Sequence, residues 1–306
     1  MSAQRLRVPA NSRPLNITLL GEDYFQDSIF INKAEKLTSI EEMSEVLLMP
    51  TMFCSIDNQT HYLATVDLFM TASFEMEHRK EIVEKEILER LKKTDNFLDI
   101  GIGKGDLTKF IGQHFSNITV IDNNLESLSS LPNRLGTKNA IVTKIQESIL
   151  NVTIPQHQYD LIVLSHTLYY IEDNYRKPLF DKLYSGLNND GILLVVYNDG
   201  RGRNQLVKKF GGRVDDFDDF FFSVMSSYEN AYALTSIEIM ESKAIEPMLH
   251  IANLIIFDAS AKAGYKELAE YIEFELHNGY EVDSIYQLDM KQNFIFVGVP
   301  PDVYDK

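Results

Sequence analysis

The chain has 306 residues, of which 44% are hydrophobic and 24% are charged, so it can bury a large core in one or two domains. Its 45 acidic and 29 basic residues give a net charge of −16, which disfavours a nucleic-acid partner and favours cationic or neutral small molecules. We find no apolar run of the roughly 20 residues that a membrane span needs and no secretory signal, and we therefore expect a cytoplasmic protein without a membrane partner.

The first part of the chain predicts an N-terminal arm and a substrate-covering segment over residues 1–75, followed by a helix over 78–92 with one apolar stripe. Short β-rich runs then alternate with helical patterns, which is typical of βαβ units in a mostly parallel sheet. The strands are apolar on both faces, as expected where helices cover both sides of a sheet. The predicted strands are 96–100, 118–122, 140–143, 159–165 and 192–197, and the helices between them include 107–115 and 175–187.

The C-terminal part predicts an inserted helical lid over 201–278, and two strands at 281–288 and 293–299 that form an antiparallel hairpin at the edge of the sheet. We therefore expect a doubly wound α/β fold with a mostly parallel, seven-stranded sheet. Its α/β core would span 76–200, and residues 279–306 would complete the sheet.

A glycine-rich turn follows the strand at 96–100 and opens the next helix. Glycines stand at 101, 103 and 105, where the backbone can approach a ligand closely or take a positive φ. A dinucleotide-binding fingerprint would have the spacing G-x-G-x-x-G, but Asp106 occupies its last position, and no Walker-type Gly-Lys-Ser/Thr ends the turn. A nicotinamide-dependent dehydrogenase is therefore the least favoured class.

The segment DIGIGKG, from Asp99 to Gly105, resembles the first motif of class I S-adenosylmethionine-dependent methyltransferases, which have a Rossmann-like fold. The resemblance implies that this turn holds S-adenosylmethionine, and that Asp122 at the end of the second strand binds both ribose hydroxyls. It implies that the segment after the third strand lies near the adenine. The cofactor-binding residues implied are Asp99, Gly101, Gly103, Gly105, Asp122, Asn123, Gln146, Glu147, Ser148 and Ser165.

A closer resemblance is to histamine N-methyltransferase-like enzymes. The segment YDLIVLSHTLYYI at 159–171 is similar to the motif that follows their fourth strand, and 192–197 with 206–211 is similar to their fifth strand and next helix. The similarity is intermittent over 61–300. It implies that Glu75 orients an amine and that His166 stands where the family has a glutamine. The implied substrate contacts are Tyr62, Tyr169, Tyr170 and Asp289; the family's asparagine near the C-terminus has no clear match, and Asp289 and Met290 stand in that region.

These residues predict methyl transfer from S-adenosylmethionine to a nitrogen of a small molecule: an amine, an imidazole or an amino-acid-derived compound. Glu75 and His166 are the predicted catalytic residues, because a carboxylate accepts a hydrogen bond from an amine and a histidine accepts a proton near neutral pH. The alternatives are O- or C-methylation of a secondary metabolite, a protein-directed methyltransferase, and a catalytically silent binding subunit.

These residues also have purely structural interpretations. Glu75 is also compatible with an ordinary helix-start acid, His166 with a cap, and the Tyr169-Tyr170 pair with helix packing. The acidic, aromatic run at 215–222 is compatible with a solvated loop held by hydrophobic anchors or with a lid. We predict no metal site, and the single Cys54 fits a buried small side chain.

Overall fold

The computed structural model of the protein describes residues 4–7, 65–66, 69–70, 75–136, 138–214, 220–221, 227–228, 230–242, 245–258, 263–278 and 285–298. In these ranges one sheet contains strands β1 (Gln4–Arg7), β2 (Asn96–Ile100), β3 (Asn117–Asp122), β4 (Arg134–Leu135), β5 (Ala140–Gln146), β6 (Tyr159–Ser165), β7 (Leu187–Asp199), β8 (Tyr232–Ser242), β9 (His277–Asn278) and β10 (Ile285–Val297). The α-helices are α1 (Glu75–Val83), α2 (Asp106–Gly112), α3 (Leu125–Ser129), α4 (Asp173–Gly186), α5 (Arg201–Lys209), α6 (Ile245–Asp258) and α7 (Tyr265–Tyr271).

The sheet has the order β1-β8-β10-β7-β6-β2-β3-β5-β4, with β9 paired to the start of β10. Strands β5, β3, β2, β6 and β7 are parallel neighbours, whereas β10 is antiparallel to both β7 and β8. Within the described ranges seven strands have five residues or more, and β10 is the one among them that runs against the rest. The predicted doubly wound, mostly parallel α/β sheet is therefore confirmed.

The local predictions for the core agree with the structure. The strands predicted over 96–100 and 159–165 have the bounds of β2 and β6, and the helix predicted over 78–92 is α1 extended by a wider π-helical turn at Glu84–Leu88. Alternate side chains of β6 enter two different layers: Leu161 and Val163 pack with the α1 and α2 side, and Ile162 and Leu164 with the α4 side. These strands are apolar on both faces because helices cover both faces.

A third apolar cluster lies beyond these two layers, where the insertion packs on the sheet. Helices α5, α6 and α7 contribute Leu206, Leu249 and Leu268, and β10 contributes Leu288 and Met290. The helices of the insertion therefore form a unit that packs against one end of β10.

Two sequence predictions about this region are wrong. The insertion is not only helical, because β8 at Tyr232–Ser242 lies in it and pairs with β10 along eleven register positions. The predicted C-terminal hairpin is one continuous strand, β10, which crosses the polar stretch that suggested a turn. That stretch stays in the sheet because Gln292 and Asn293 are buried with polar partners: Gln292 lies beside His166, and Asn293 accepts from Thr235.

The remaining features of the fold concern the surface and the N-terminal segment. No helix among the described residues is long and apolar enough to cross a membrane. Within the same ranges no group of three or more His, Cys, Asp or Glu side chains is placed to bind a metal ion. Of the run at 215–222, Phe220 and Phe221 are described; both are buried in the same apolar cluster, where Phe220 packs against Phe180 of α4 and Tyr197 of β7, so they act as anchors. The rest of that run, Cys54 and nearly all of 1–74 lie outside the described residues.

Candidate functional site

A cavity of about 790 Å³ opens at the carboxyl ends of β2, β3, β5 and β6, which is where ligands bind in open α/β sheets. Its walls include most of the residues that the sequence predicted for the site. Those residues are Asp99, Gly101, Gly103, Asp122, Asn123, Glu147, Ser148, Ser165, His166, Tyr169 and Tyr170.

The three glycines of the turn all have a positive φ, but each has a different environment. A Cβ at Gly101 would lie 2.0 Å from Oγ1 of Thr167, and one at Gly105 would lie 2.6 Å from Cδ2 of Leu131. A Cβ at Gly103 would meet no atom within 4 Å, because this residue faces the cavity. Gly101 and Gly105 are thus required by packing, and Gly103 leaves space for a ligand.

Carboxylates border the cavity around this turn. Asp99 is buried and accepts a hydrogen bond of 2.6 Å from Oγ1 of Thr108, yet burial raises its pKa to about 6. Burial also raises the pKa of Asp122, against hydrogen bonds from the backbone N–H groups of Asn124, Gly103 and Ile102. Both carboxylates are therefore desolvated, and a bound cation or a pair of hydroxyl donors would offset the free-energy cost of that desolvation.

The strand end of β6 adds a further polar atom to the cavity. Oγ of Ser165 is buried and has no hydrogen-bond partner among the described residues. An unsatisfied buried hydroxyl costs about 1–3 kcal/mol, so a polar ligand group is its natural partner. The open space at Gly103, the desolvated acids and this hydroxyl together fit a bound S-adenosylmethionine.

A hydrogen-bonded network forms the other side of the cavity and centres on His166. Nη2 of Arg79 donates to Nε2 of His166 at 2.7 Å, which leaves the ring hydrogen on Nδ1, 3.3 Å from the hydroxyl of Tyr169. The same hydroxyl accepts the backbone N–H of Asn198. His166 itself has a φ of +53°. Its unusual backbone and both ring nitrogens are therefore fixed by this network.

The structure argues against the predicted role of His166 as a proton acceptor. Desolvation, then the nearby guanidinium groups of Arg79 and Arg203, hold the pKa of His166 well below its usual value of 6.5. The lone pair of Nε2 already accepts from Arg79. The sequence suggested a base because a histidine titrates near neutral pH and this one stands at the carboxyl edge of a parallel sheet, but it does not show the burial of the ring or the two arginines on distant helices that lower its pKa.

These two arginines are the main site residues that the sequence analysis missed. Arg79 on α1 and Arg203 on α5 are each 5% exposed, and both line the cavity. The guanidinium of Arg203 stands 5.4 Å from the centre of the Tyr169 ring. The net charge of the whole chain, from which we expected cationic or neutral small molecules, gives no sign of the two buried cations on this wall. A basic residue inside an otherwise apolar helical stripe was the available signal.

Three predicted contacts do not line the cavity. Asp289 is exposed and abuts Gly202 of α5, because side chains alternate along β10 and it is the neighbouring Met290 that faces the cavity. Gln146 at the end of β5 is exposed and is not part of the wall, although Glu147 and Ser148 are. Gly105 is not part of the wall, and it packs against Leu131 instead.

The structure does not describe the side chains of two further predicted residues. Tyr62 lies outside the described residues, and Glu75 begins α1 but its side chain is not described.

Tyr170 stands at the rim of the cavity and is 58% exposed, with its ring edge-on to that of Tyr169.

Comparison with known proteins agrees with this geometry. Residues 97–191 match the family model described as a methyltransferase domain. A putative methyltransferase from Bacillus halodurans is 12% identical and aligns over 72% of this chain and 99% of its own, with a TM-score of 0.52. The N-methyltransferase NodS from Bradyrhizobium japonicum is 17% identical over 72% of this chain and 96% of its own, with a TM-score of 0.38. No curated protein matches the chain by sequence.

The matched segment contains the glycine turn, Asp122 and the strand that ends at Ser165. The fold is therefore that of class I methyltransferases.

Proposed function

We propose that this S-adenosylmethionine-dependent methyltransferase methylates a nitrogen of a small molecule: an amine, an imidazole or an amino-acid-derived compound. A cavity of about 790 Å³ lies within the size range of small-molecule sites, roughly 300–1,000 Å³. The proposal is carried by the electrostatic environment around His166, because it decides which nucleophile the site can activate.

The cofactor end of the cavity is the part around the glycine turn. S-adenosylmethionine supplies a methyl group on a cationic sulfur, which a neutral nucleophile displaces in line. Asp122 would hold the ribose, and Glu147 and Ser148 would border the adenine. Asp99 and Arg79, whose charge lowers the pKa of Asp99, would face the ammonium and the carboxylate of the amino-acid portion.

The acceptor end lies around His166, Tyr169 and Asn198. Desolvation and two guanidinium groups keep the His166 imidazole neutral, and the same surroundings act on any amine or imidazole that binds beside it. A protonated amine has no free electron pair, so lowering its pKa is how a site prepares a nitrogen for attack. The site therefore favours the neutral, nucleophilic form of a nitrogen acceptor without a dedicated base.

A hydroxyl group as the methyl acceptor would need a different catalytic group from the site. An alcohol must lose its proton as the bond to the methyl carbon forms, which needs a base at the reacting oxygen. His166, the proposed base for O- or C-methylation, already uses Nε2 to accept from Arg79. This observation supports nitrogen over oxygen or carbon.

The test is the position of the transferred methyl group. The purified protein is incubated with methyl-labelled S-adenosylmethionine and pairs of compounds that differ in the acceptor atom, such as phenethylamine and phenethyl alcohol, and with histamine and histidine. We expect label on nitrogen in at least one pair and none on the matching alcohol. Label on oxygen or carbon would overturn the proposal. Methylation of histamine in particular would support the resemblance to histamine N-methyltransferase-like enzymes.

A further inference from the structure

Arg203 is a buried cation for which the described residues offer no counter-ion. Its side chain lines the cavity and is 5% exposed; within the described residues it donates a hydrogen bond of 3.3 Å from Nη1 to Oδ1 of Asn204 and lies over the face of Tyr169. No carboxylate in the described ranges lies within ion-pair distance of it. A guanidinium presents five N–H donors, and burying it unpaired is costly.

Another buried arginine of the same protein shows what a structural role looks like. Arg176 on α4 is 4% exposed, forms an ion pair of 3.1 Å with Asp173, and donates to the carbonyls of Ile171 and Leu168. Its donors are used by the fold, whereas most donors of Arg203 are left to the cavity. An anion bound in the cavity would give Arg203 the ion-pair partner that Asp173 gives Arg176.

The cofactor has one carboxylate, and Arg79 is better placed for it. Arg79 acts on the pKa of Asp99 at the glycine turn, whereas Arg203 does not contribute there. Arg79 donates to His166 at 2.7 Å, His166 lies 3.3 Å from the hydroxyl of Tyr169, and the guanidinium of Arg203 stands 5.4 Å from the centre of the Tyr169 ring. Along this chain of contacts His166 and Tyr169 stand between Arg203 and Arg79, and Tyr169 is the neighbour of Arg203.

We infer that the methyl acceptor carries a carboxylate or a similar compact anionic group, and that Arg203 binds it. This inference rests on the proposed function and narrows it to amino acids and amino-acid-derived acids. Leu254, Ile255 and Met290 line the same cavity and suit an apolar or aromatic body between the nitrogen and the acid. A guanidinium is the usual partner for a carboxylate because its paired N–H groups match two oxygens.

The test is calorimetric titration of the protein loaded with S-adenosylhomocysteine, using pairs that differ only in a carboxylate: histidine and histamine, tyrosine and tyramine, phenylalanine and phenethylamine. We expect the acid of at least one pair to bind ~10-fold or more tightly than its partner. Arg203→Met should abolish that preference and leave the affinity for S-adenosylhomocysteine within about 3-fold of wild type. Arg203→Lys should retain part of it, and Arg201→Met, which removes an exposed charge from the same helix, should retain it all.

Three outcomes would contradict the inference. If no acid binds more tightly than its partner, including the case in which neither binds, the acceptor is not recognised through a carboxylate. If Arg203→Met keeps the preference, another residue provides it. If Arg203→Met loses S-adenosylhomocysteine instead, Arg203 holds the cofactor. Failure of wild-type protein to bind S-adenosylhomocysteine would overturn the proposed function itself, which separates the two failures.

Thermal unfolding provides a second readout that does not need an acceptor. Removing an unpaired buried cation relieves a desolvation cost, so Arg203→Met should not lower the Tm of the ligand-free protein. Arg176→Met should lower it, because the fold loses the ion pair with Asp173 and the buried hydrogen bonds to the carbonyls of Ile171 and Leu168. A Tm for Arg203→Met that falls as far as that of Arg176→Met would show a structural role and contradict the inference.

Discussion

The two ends of the cavity are built in different ways. The cofactor end comes from one short stretch of chain, the β2 strand, the glycine turn and the start of α2, with Asp122 one strand further on. The acceptor end, around His166, Tyr169 and Asn198, is closed by α5, α6 and β10, which come from separate parts of the chain. A site built locally is specified by a motif, whereas a site built by tertiary packing is specified by the fold.

The two ends also differ in charge. Asp99, Asp122 and Glu147 border the cofactor end together with Arg79, whereas Arg203 borders the acceptor end. The chain as a whole carries −16, so its net charge describes the cofactor end and misrepresents the acceptor end. Local desolvated charges decide what a cavity binds, because interactions strengthen where water is excluded.

The largest effect that separates the two ends is expected at Gly103. Gly103→Asn would place a side chain in the space for the cofactor, and asparagine tolerates the φ of +54°. We expect the affinity for S-adenosylhomocysteine to fall ~100-fold, or ~2.7 kcal/mol, by calorimetry.

The matched control for this variant is Gly211→Asn. Gly211 has a φ of +75° and nothing within 4 Å of its Cβ, but it does not line the cavity. It should therefore bind S-adenosylhomocysteine as wild type does. Equal losses in both variants would show that backbone strain, and not occupied space, is responsible.

A smaller effect is expected at His166, which we place as a positioning residue for Arg79 and Tyr169. His166→Gln keeps an acceptor for Arg79, so kcat should stay within ~3-fold of wild type and its pH profile should keep its shape. His166→Ala removes that acceptor and should cost more.

The opposite result would restore a catalytic role to His166. Loss of a general base costs ~10²–10⁴-fold in rate and removes the acidic limb of the pH profile. Such a loss in His166→Gln, measured with an acceptor found by the labelling test, would mean that the acceptor end carries out proton transfer.

A further effect, on neither affinity nor rate, concerns the pH dependence of stability at the cofactor end. The pKa of Asp99 rises from 3.8 to about 6 on folding, so the folded state holds this proton more tightly than the unfolded state. The contribution of Asp99 to stability is therefore present below pH 3.8 and is lost as the pH rises through 6, by on the order of 2–3 kcal/mol.

Asp99→Asn isolates this contribution. The Tm of wild type relative to Asp99→Asn should fall between about pH 4 and pH 6.5 and then level off, because the asparagine does not titrate. A difference in Tm that stays constant over this range would show that Asp99 is not desolvated in the folded protein.

The sequence predicted the parts of the molecule in which neighbours in the chain are neighbours in space. The bounds of β2 and β6 and the glycine turn follow from runs of a few residues. The polar stretch before Asn293 predicted a turn, because the sequence alone cannot show that β7 and β8 pair with both sides of it. Arg79 and Arg203 were missed for the same reason, since each is a single residue whose meaning depends on the cavity that other elements close.

The most direct measurement of the division between the two ends is calorimetric titration of S-adenosylhomocysteine into wild type, Asp122→Asn and Arg203→Met. We predict one binding site in wild type and an unchanged affinity in Arg203→Met. In Asp122→Asn we predict an affinity ~10-fold weaker, because the side chain that accepts two hydroxyl hydrogen bonds loses its charge. No binding to wild type, or an equal loss in both variants, would contradict the account.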